Sequence, residues 1–211
     1  MKKRGLLIVV SGPSGAGKGT ICKEIIDKRD DVFVSISATT RAPRNGEVHG
    51  VNYFFTEKES FEKKIESNEF LEYAQVFDNY YGTPKQYVID MIDQGNNVLL
   101  EIDIQGALQI KKMYPAGVFI FIFPPSMKEL KNRIVKRGSE TEETLNKRFG
   151  MAIKEMEYVK DYDYYIINDN LDEAVNTMDA IIAAERVKVI ENIEELINEF
   201  KEENNVISTS K

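Results

Sequence analysis

The chain has 211 residues, with 28 Lys and Arg against 35 Asp and Glu, a formal net charge of −7, 42% hydrophobic and 30% charged residues. This suits an ordinary globular chain with one main core, and the acidic balance argues against a nucleic-acid binder, which needs a basic face for phosphate backbones. A lone cysteine, Cys22, and a lone histidine, His49, exclude an internal disulfide and leave too few soft ligands for structural zinc, as expected of a cytoplasmic protein.

Lys2, Lys3 and Arg4 precede the apolar residues 6–10, which resembles the opening of a signal peptide. An h-region is roughly 7–15 residues long, so this shorter run reads as a buried strand. A helix follows from about 20 to 28, and residues 32–37 read as a second strand. Residues 98–104 form a third, with two carboxylates near its end. Residues 117–123 form a fourth, stopped by Pro124 and Pro125, and 164–167 a fifth. Helices fit at 105–113, 126–137, 142–160 and 171–186. No apolar run nears the roughly 20 residues of a membrane span.

Strands alternating with helices predict an α/β fold, a three-layer core around a parallel sheet. Three segments break this rhythm. Residues 37–95 are rich in glycine and aromatics and read as an insertion between core segments 1–36 and 96–186. Residues 137–150 are highly charged and read as a lid. Residues 187–211 read as an amphipathic helix with a frayed tail from Asn204. Its stripe of Ile190, Ile193, Leu196, Ile197 and Phe200 packs on the core or on a second subunit.

Between the first strand and first helix lies Ser11-Gly-Pro-Ser-Gly-Ala-Gly-Lys-Gly-Thr20, which contains Gly12-x4-Gly17-Lys18. Strand, glycine-rich turn and helix are the setting of a P-loop. Glycines let the backbone turn its N–H groups inward, the helix N-terminus adds partial positive charge, and Lys18 adds a full one. The loop Gly12, Pro13, Ser14, Gly15, Ala16, Gly17, Lys18, Gly19 and Thr20 is the expected ATP cradle. Such loops usually place Ser or Thr after the lysine to meet Mg²⁺. Here Gly19 stands there, so the metal is expected to be held through water and by a carboxylate of the third strand.

The acceptor is indicated by residues 35–55, which contain Thr39-Thr-Arg-Ala-Pro-Arg-Asn-Gly-Glu-Val-His-Gly-Val-Asn-Tyr-Phe-Phe55. This resembles the guanylate kinase signature, Thr-Thr-Arg-x-x-Arg-x-Gly-Glu-x-x-Gly-x-x-Tyr-x-Phe, at every fixed position. The resemblance continues in order through Glu69-Phe-Leu-Glu-Tyr-Ala, Asn79-Tyr-Tyr-Gly-Thr83, Leu100-Glu-Ile-Asp-Ile-Gln-Gly106, Arg137-Gly-Ser-Glu-Thr-Glu-Glu and Ile167-Asn-Asp-Asn-Leu-Asp172. It spans about residues 5 to 186 and implies transfer of the γ-phosphoryl group of MgATP to GMP.

The resemblance places Ser37, Arg41, Arg44, Tyr53 and Tyr81 on the GMP phosphate, and Glu72, Thr83 and Asp103 around the guanine. The chemistry agrees: two planar guanidinium forks suit a phosphate dianion, and a carboxylate accepts from guanine N1–H and its amino group but repels the N1 lone pair of adenine. Lys18, Arg41, Arg137 and Arg148 are expected to screen the two approaching phosphates, the last two arriving from the lid. Glu101 sits where the family has an acid near the metal, although it is one methylene longer than Asp. Arg133 reads either as a helper or as helix-surface charge. Asn168 approaches the adenine or caps the next turn. Cys22 reads as core and His49 as surface.

Two rivals remain at this level. A kinase of another phosphorylated acceptor is disfavoured by the acceptor signature. A guanylate-kinase-like binding module is disfavoured by the intact Lys18 and its glycines.

Overall fold

The computed structural model describes residues 4–76, 78–136, 142–189 and 193–209. The chain opens with β1 (Leu7–Ser11), whose five residues are all buried. There follow α1 (Lys18–Lys28), β2 (Val32–Val34), β3 (Ala38–Thr39), β4 (Phe54–Phe55), α2 (Lys58–Glu66), β5 (Phe70–Val76), β6 (Asn79–Pro84), α3 (Lys85–Asp93) and β7 (Asn97–Glu101). The remainder is α4 (Ile104–Met113), β8 (Val118–Phe123), α5 (Met127–Lys136), α6 (Glu142–Met156), a 3-10 turn (Glu157–Asp161), β9 (Tyr164–Ile167), α7 (Leu171–Glu185) and α8 (Ile193–Thr209).

Among the described residues, β2-β7-β1-β8-β9 form a five-stranded parallel sheet with β1 at its centre. Strand side chains alternate between faces, so the apolar run of β1 feeds two cores at once. Ile8 and Val10 join Ile21, Cys22 and Ile25 of α1 and Met178 and Ile182 of α7. Leu7 and Val9 join Val88 and Ile92 of α3 and Ala107 and Ile110 of α4. This is the three-layer α/β arrangement expected from the alternating pattern. Each fully buried Val, Leu or Ile contributes about 1.5–3 kcal/mol by transfer from water.

A second sheet, in the order β4-β3-β6-β5, pairs β3 with β4 in parallel and β6 antiparallel to both β3 and β5. Its small core is a stack of rings. Phe61 of α2 lies 4.3 Å from Phe70 and 5.3 Å from Tyr80, centroid to centroid.

The structure departs from the sequence reading in four places. The third strand, read as 98–104, ends at Glu101, and Ile104 opens α4. Residues 32–37 do not form one strand. After Val34 the chain holds the main sheet once more, through Ser35 N–H to Leu99 O at 3.0 Å, and then re-pairs as β3 in the second sheet. The helix expected over 142–160 tightens into a 3-10 turn at Glu157. The C-terminal helix runs through to Thr209 rather than fraying at Asn204. Along it, Leu196, Ile197 and Phe200 are exposed. Among the described residues no helix is long and apolar enough to cross a membrane.

Candidate active site

β1 delivers the glycine-rich loop to the carboxyl end of the main sheet. The Ser11 hydroxyl donates to Ile102 O at 3.0 Å and Asp103 O at 3.3 Å, tying the loop's entry to the end of β7. The loop leads into α1 through Gly17, which has φ +94. A Cβ there would fall 2.1 Å from Nδ2 of Asn168, so both conformation and space require glycine. Nζ of Lys18 donates to Gly12 O at 2.6 Å and Pro13 O at 3.2 Å, so the ammonium lies over the loop's own carbonyls.

The far side of the loop is braced. Asn168, buried after β9, donates from Nδ2 to Ala16 O at 2.8 Å. Arg133 of α5 donates to Asn168 O at 3.1 Å and to Ala16 O at 3.4 Å, while Glu129 holds its Nε at 3.0 Å. The cap of α7 is Asn170, whose side chain accepts from Glu173 N. Of the two roles weighed for Asn168, helix capping therefore belongs to its neighbour. Gly15, Thr20, Arg133, Asn168 and Leu171 line a cleft of about 330 Å³ beside the loop.

The second sheet gathers several of the residues expected to meet the acceptor. Arg41 leaves β3, Tyr53 enters β4, and Tyr81 lies on β6 directly opposite Thr39 of β3. The Tyr53 and Tyr81 rings are 6.0 Å apart and edge-on, and the Arg41 guanidinium stands 5.6 Å from the Tyr53 centroid. Glu47 holds Arg41 firmly charged, with a smaller contribution from Tyr81, and the Arg41 guanidinium holds the Glu47 carboxyl below its usual range. Ser37 is half-buried, and its carbonyl accepts from Phe54 N at 2.9 Å. Arg44 is exposed.

Glu72 and Thr83 are cross-strand partners on β5 and β6. The Thr83 hydroxyl donates to Glu72 Oε1 at 2.6 Å, and both residues are buried. Burial pushes the Glu72 carboxyl up, the Thr83 hydrogen bond opposes this, and the charge of Asp103 adds to it. Asp103 caps α4 by accepting Gly106 N at 2.8 Å. Gly106 is small for a reason, since a Cβ there would lie 3.1 Å from Glu72 Oε2.

Glu101 closes β7 opposite Val10 of β1, and its carboxylate faces Gly19. Arg137 lies outside the described residues, as does the side chain of Arg148, which falls within α6. The sequence reading missed two groups. Glu155 is half-buried, and burial raises its carboxyl, with Lys18 opposing and Asp103 adding. Tyr162 packs its ring edge-on to Phe121 at 5.2 Å, and burial pushes its phenol up to about 12. Ser11 lies close enough to oppose that rise. Its hydroxyl already donates elsewhere, however, and the Tyr162 hydroxyl makes no hydrogen bond among the described residues. A signal for Glu155 was present: it lies seven residues, two helical turns, after Arg148. Cys22 is core, its thiol pushed up to about 12 by burial.

The "Guanylate kinase" family model matches residues 4–185. The guanylate kinase of Clostridioides difficile (strain 630) is 56% identical over 201 residues, covering 95% of this chain and 98% of that relative. That of Caldanaerobacter subterraneus subsp. tengcongensis is 59% identical over 192 residues, covering 91% and 93%. A crystal structure of guanylate kinase from Anaplasma phagocytophilum superposes with a TM-score of 0.69 at 34% identity, covering 90% of each chain. With a loop, an acceptor cluster and a carboxylate pair built from the signature residues, and relatives matched nearly end to end, the chain belongs to the guanylate kinase family.

Proposed function

We propose that this protein transfers the γ-phosphoryl group of MgATP to GMP, giving ADP and GDP, with the roles set out below. The observation that carries the reading is the end of β7, which serves both half-sites. Glu101 faces the glycine-rich loop, the carbonyls of Ile102 and Asp103 anchor its first residue, and the Asp103 charge acts on Glu72. A phosphate donor and a purine acceptor are thereby brought to one strand end, the usual ligand position in an open parallel sheet.

The attacking oxygen belongs to the GMP phosphate and is already anionic near neutral pH, so no strong general base is required. Charge neutralisation and in-line alignment are what the protein must supply. Lys18 serves the β- and γ-phosphates, with the backbone of residues 12–20 cradling them and Asn168 beside the adenine. Arg41, Arg44, Ser37, Tyr53 and Tyr81 hold the GMP phosphate. Glu72, Thr83 and Asp103 select guanine. A buried carboxylate left unpaired by AMP costs about 1–3 kcal/mol or more. Arg137 and Arg148 are assigned to the same charge screening on the strength of the signature.

Among the described residues no three His, Cys, Asp or Glu side chains gather as a metal cage. This fits Mg²⁺, which is commonly held by one or two carboxylates plus substrate phosphates and water. Glu101 is an exposed carboxylate opposite the space at Gly19. Mg²⁺ supplies neutralisation of the triphosphate oxygens when bound.

The test is ADP release at fixed MgATP over GMP, AMP, dUMP and ribose bisphosphate. Turnover with GMP alone, lost in Lys18→Ala, is expected. Equal turnover with AMP would overturn the acceptor assignment.

A further inference from the structure

In P-loops the residue after the lysine ordinarily brings a hydroxyl to the divalent cation. Here that residue is Gly19, and the space beside it is not simply empty. A Cβ at position 19 would lie 3.2 Å from Glu101 Oε2, tighter than ordinary contact, and 3.4 Å from Oε1, at its edge. A serine hydroxyl, one bond further out, would push this carboxylate aside or engage it in a hydrogen bond. Either result moves the carboxylate from the position it holds beside Gly19.

Thr20 does not take over the position. One residue along a helix turns by about 100°, and Thr20 lines the cleft shared with Arg133 and Asn168. Glu101 itself is fixed at its root by the parallel pairing of β7 with β1, where it sits opposite Val10. Its side chain is one methylene longer than Asp, which is the reach needed to bring a carboxylate up to the helix start.

We infer that Gly19 and Glu101 are a matched pair: the carboxylate takes the place left by a side chain at position 19 and supplies the protein oxygen that a P-loop hydroxyl supplies elsewhere. The inference rests on the MgATP reading above and adds to it a steric rule. Glycine at 19 leaves the glutamate carboxylate its place, and a side chain at 19 would have to shift that exposed carboxylate by a few tenths of an ångström. The exchange also replaces a neutral ligand with an anionic one, suited to a hard cation.

The experiment measures Mn²⁺ binding to the protein–ADP complex by electron paramagnetic resonance, and ADP binding in EDTA by calorimetry. Glu101→Gln is expected to lower Mn²⁺ affinity by at least about tenfold while leaving metal-free ADP binding unchanged. Gly19→Ser is expected to weaken Mn²⁺ binding as well, and adding Glu101→Asp to it to restore affinity above that of Gly19→Ser alone. Unaltered Mn²⁺ affinity in Glu101→Gln would overturn the pair, as would a double variant that binds Mn²⁺ no more tightly than Gly19→Ser alone. Far-ultraviolet circular dichroism checks the position-19 variants, and should Gly19→Ser not fold, the near-isosteric Glu101→Gln decides alone. Failure of the parent to bind ADP in EDTA would instead strike the nucleotide assignment and the pair with it.

Discussion

Nη2 of Arg41 lies 2.8 Å from Oε1 and 3.0 Å from Oε2 of Glu47, so one carboxylate grips one guanidinium from the side. Glu47 Oε2 also accepts the Arg44 N–H at 2.7 Å. The grip aims Arg41 while Ala42 O takes its other terminal nitrogen at 2.8 Å. Glu47→Gln keeps the shape and removes the charge. It is expected to raise the KM for GMP several-fold with a smaller change in kcat, read by steady-state kinetics at saturating ATP. An unchanged KM would mean that Arg41 needs no guide.

Lys18 donates to two carbonyls at the mouth of the loop, Gly12 O and Pro13 O. Replacing it with Met is expected to cut kcat by about 10²–10³-fold, the size of losing one fixed positive group at a site of developing charge. The melting temperature should barely change. A variant that retains most of its turnover would remove Lys18 from the reaction.

Glu72 carries a pH signature whose sign follows from its raised carboxyl. A group with a higher pKa folded than unfolded opposes folding when ionised. Its cost is absent below the unfolded value, about 4.3 for Glu, and is reached as pH rises through the folded value. Glu72→Gln should therefore gain melting temperature relative to the parent as pH climbs from 4 to 8, with no gain at the acid end. The same variant should lose about 1–3 kcal/mol of GMP binding. Calorimetric scans across pH, with GMP titrations at pH 8, check both. A stability gain independent of pH would contradict the assignment.

Asn168 supplies a buried donor to Ala16 O. Asn168→Ala leaves that carbonyl without it, a loss of about 1–3 kcal/mol, or roughly 2–12 °C in Tm for a chain of this size. The KM for ATP should rise in parallel, because Ala16 is part of the proposed cradle. A lower Tm with ATP binding intact would separate the brace from the site.

Tyr162 makes the opposite case. Its hydroxyl is buried without a hydrogen bond among the described residues. Tyr162→Phe removes a polar group that burial disfavours and keeps the ring packed on Phe121. The melting temperature should hold or rise. A fall of several degrees would reveal a partner for the hydroxyl.

The readable parts of the chain were those where local pattern and chemistry coincide. The apolar run 6–10 with Gly12-x4-Gly17-Lys18 announced strand, turn and helix, and all three are present. Alternation could not say that residues 32–37 change sheets midway, because a strand's partner is decided by distant segments such as β6 and β7. Asn168 carried two readings, and the cap at Asn170 removes one of them, helix capping. Glu155 was overlooked because its neighbours Lys18 and Asp103 are remote in sequence. The stripe on α8 was legible as a period, but periodicity does not name what an apolar face meets.

One covalent stretch, from Glu101 to Asp103, reaches from the loop side of the site to the purine side. Asp103 keeps extended backbone, with φ −74 and ψ 172, and each extended residue advances the chain by about 3.3 Å. Two such steps, roughly 7 Å, are about the most that the backbone can place between Glu101 and Asp103. Covalent geometry caps that interval, so breathing of the outer loops cannot draw the two carboxylates' roots further apart.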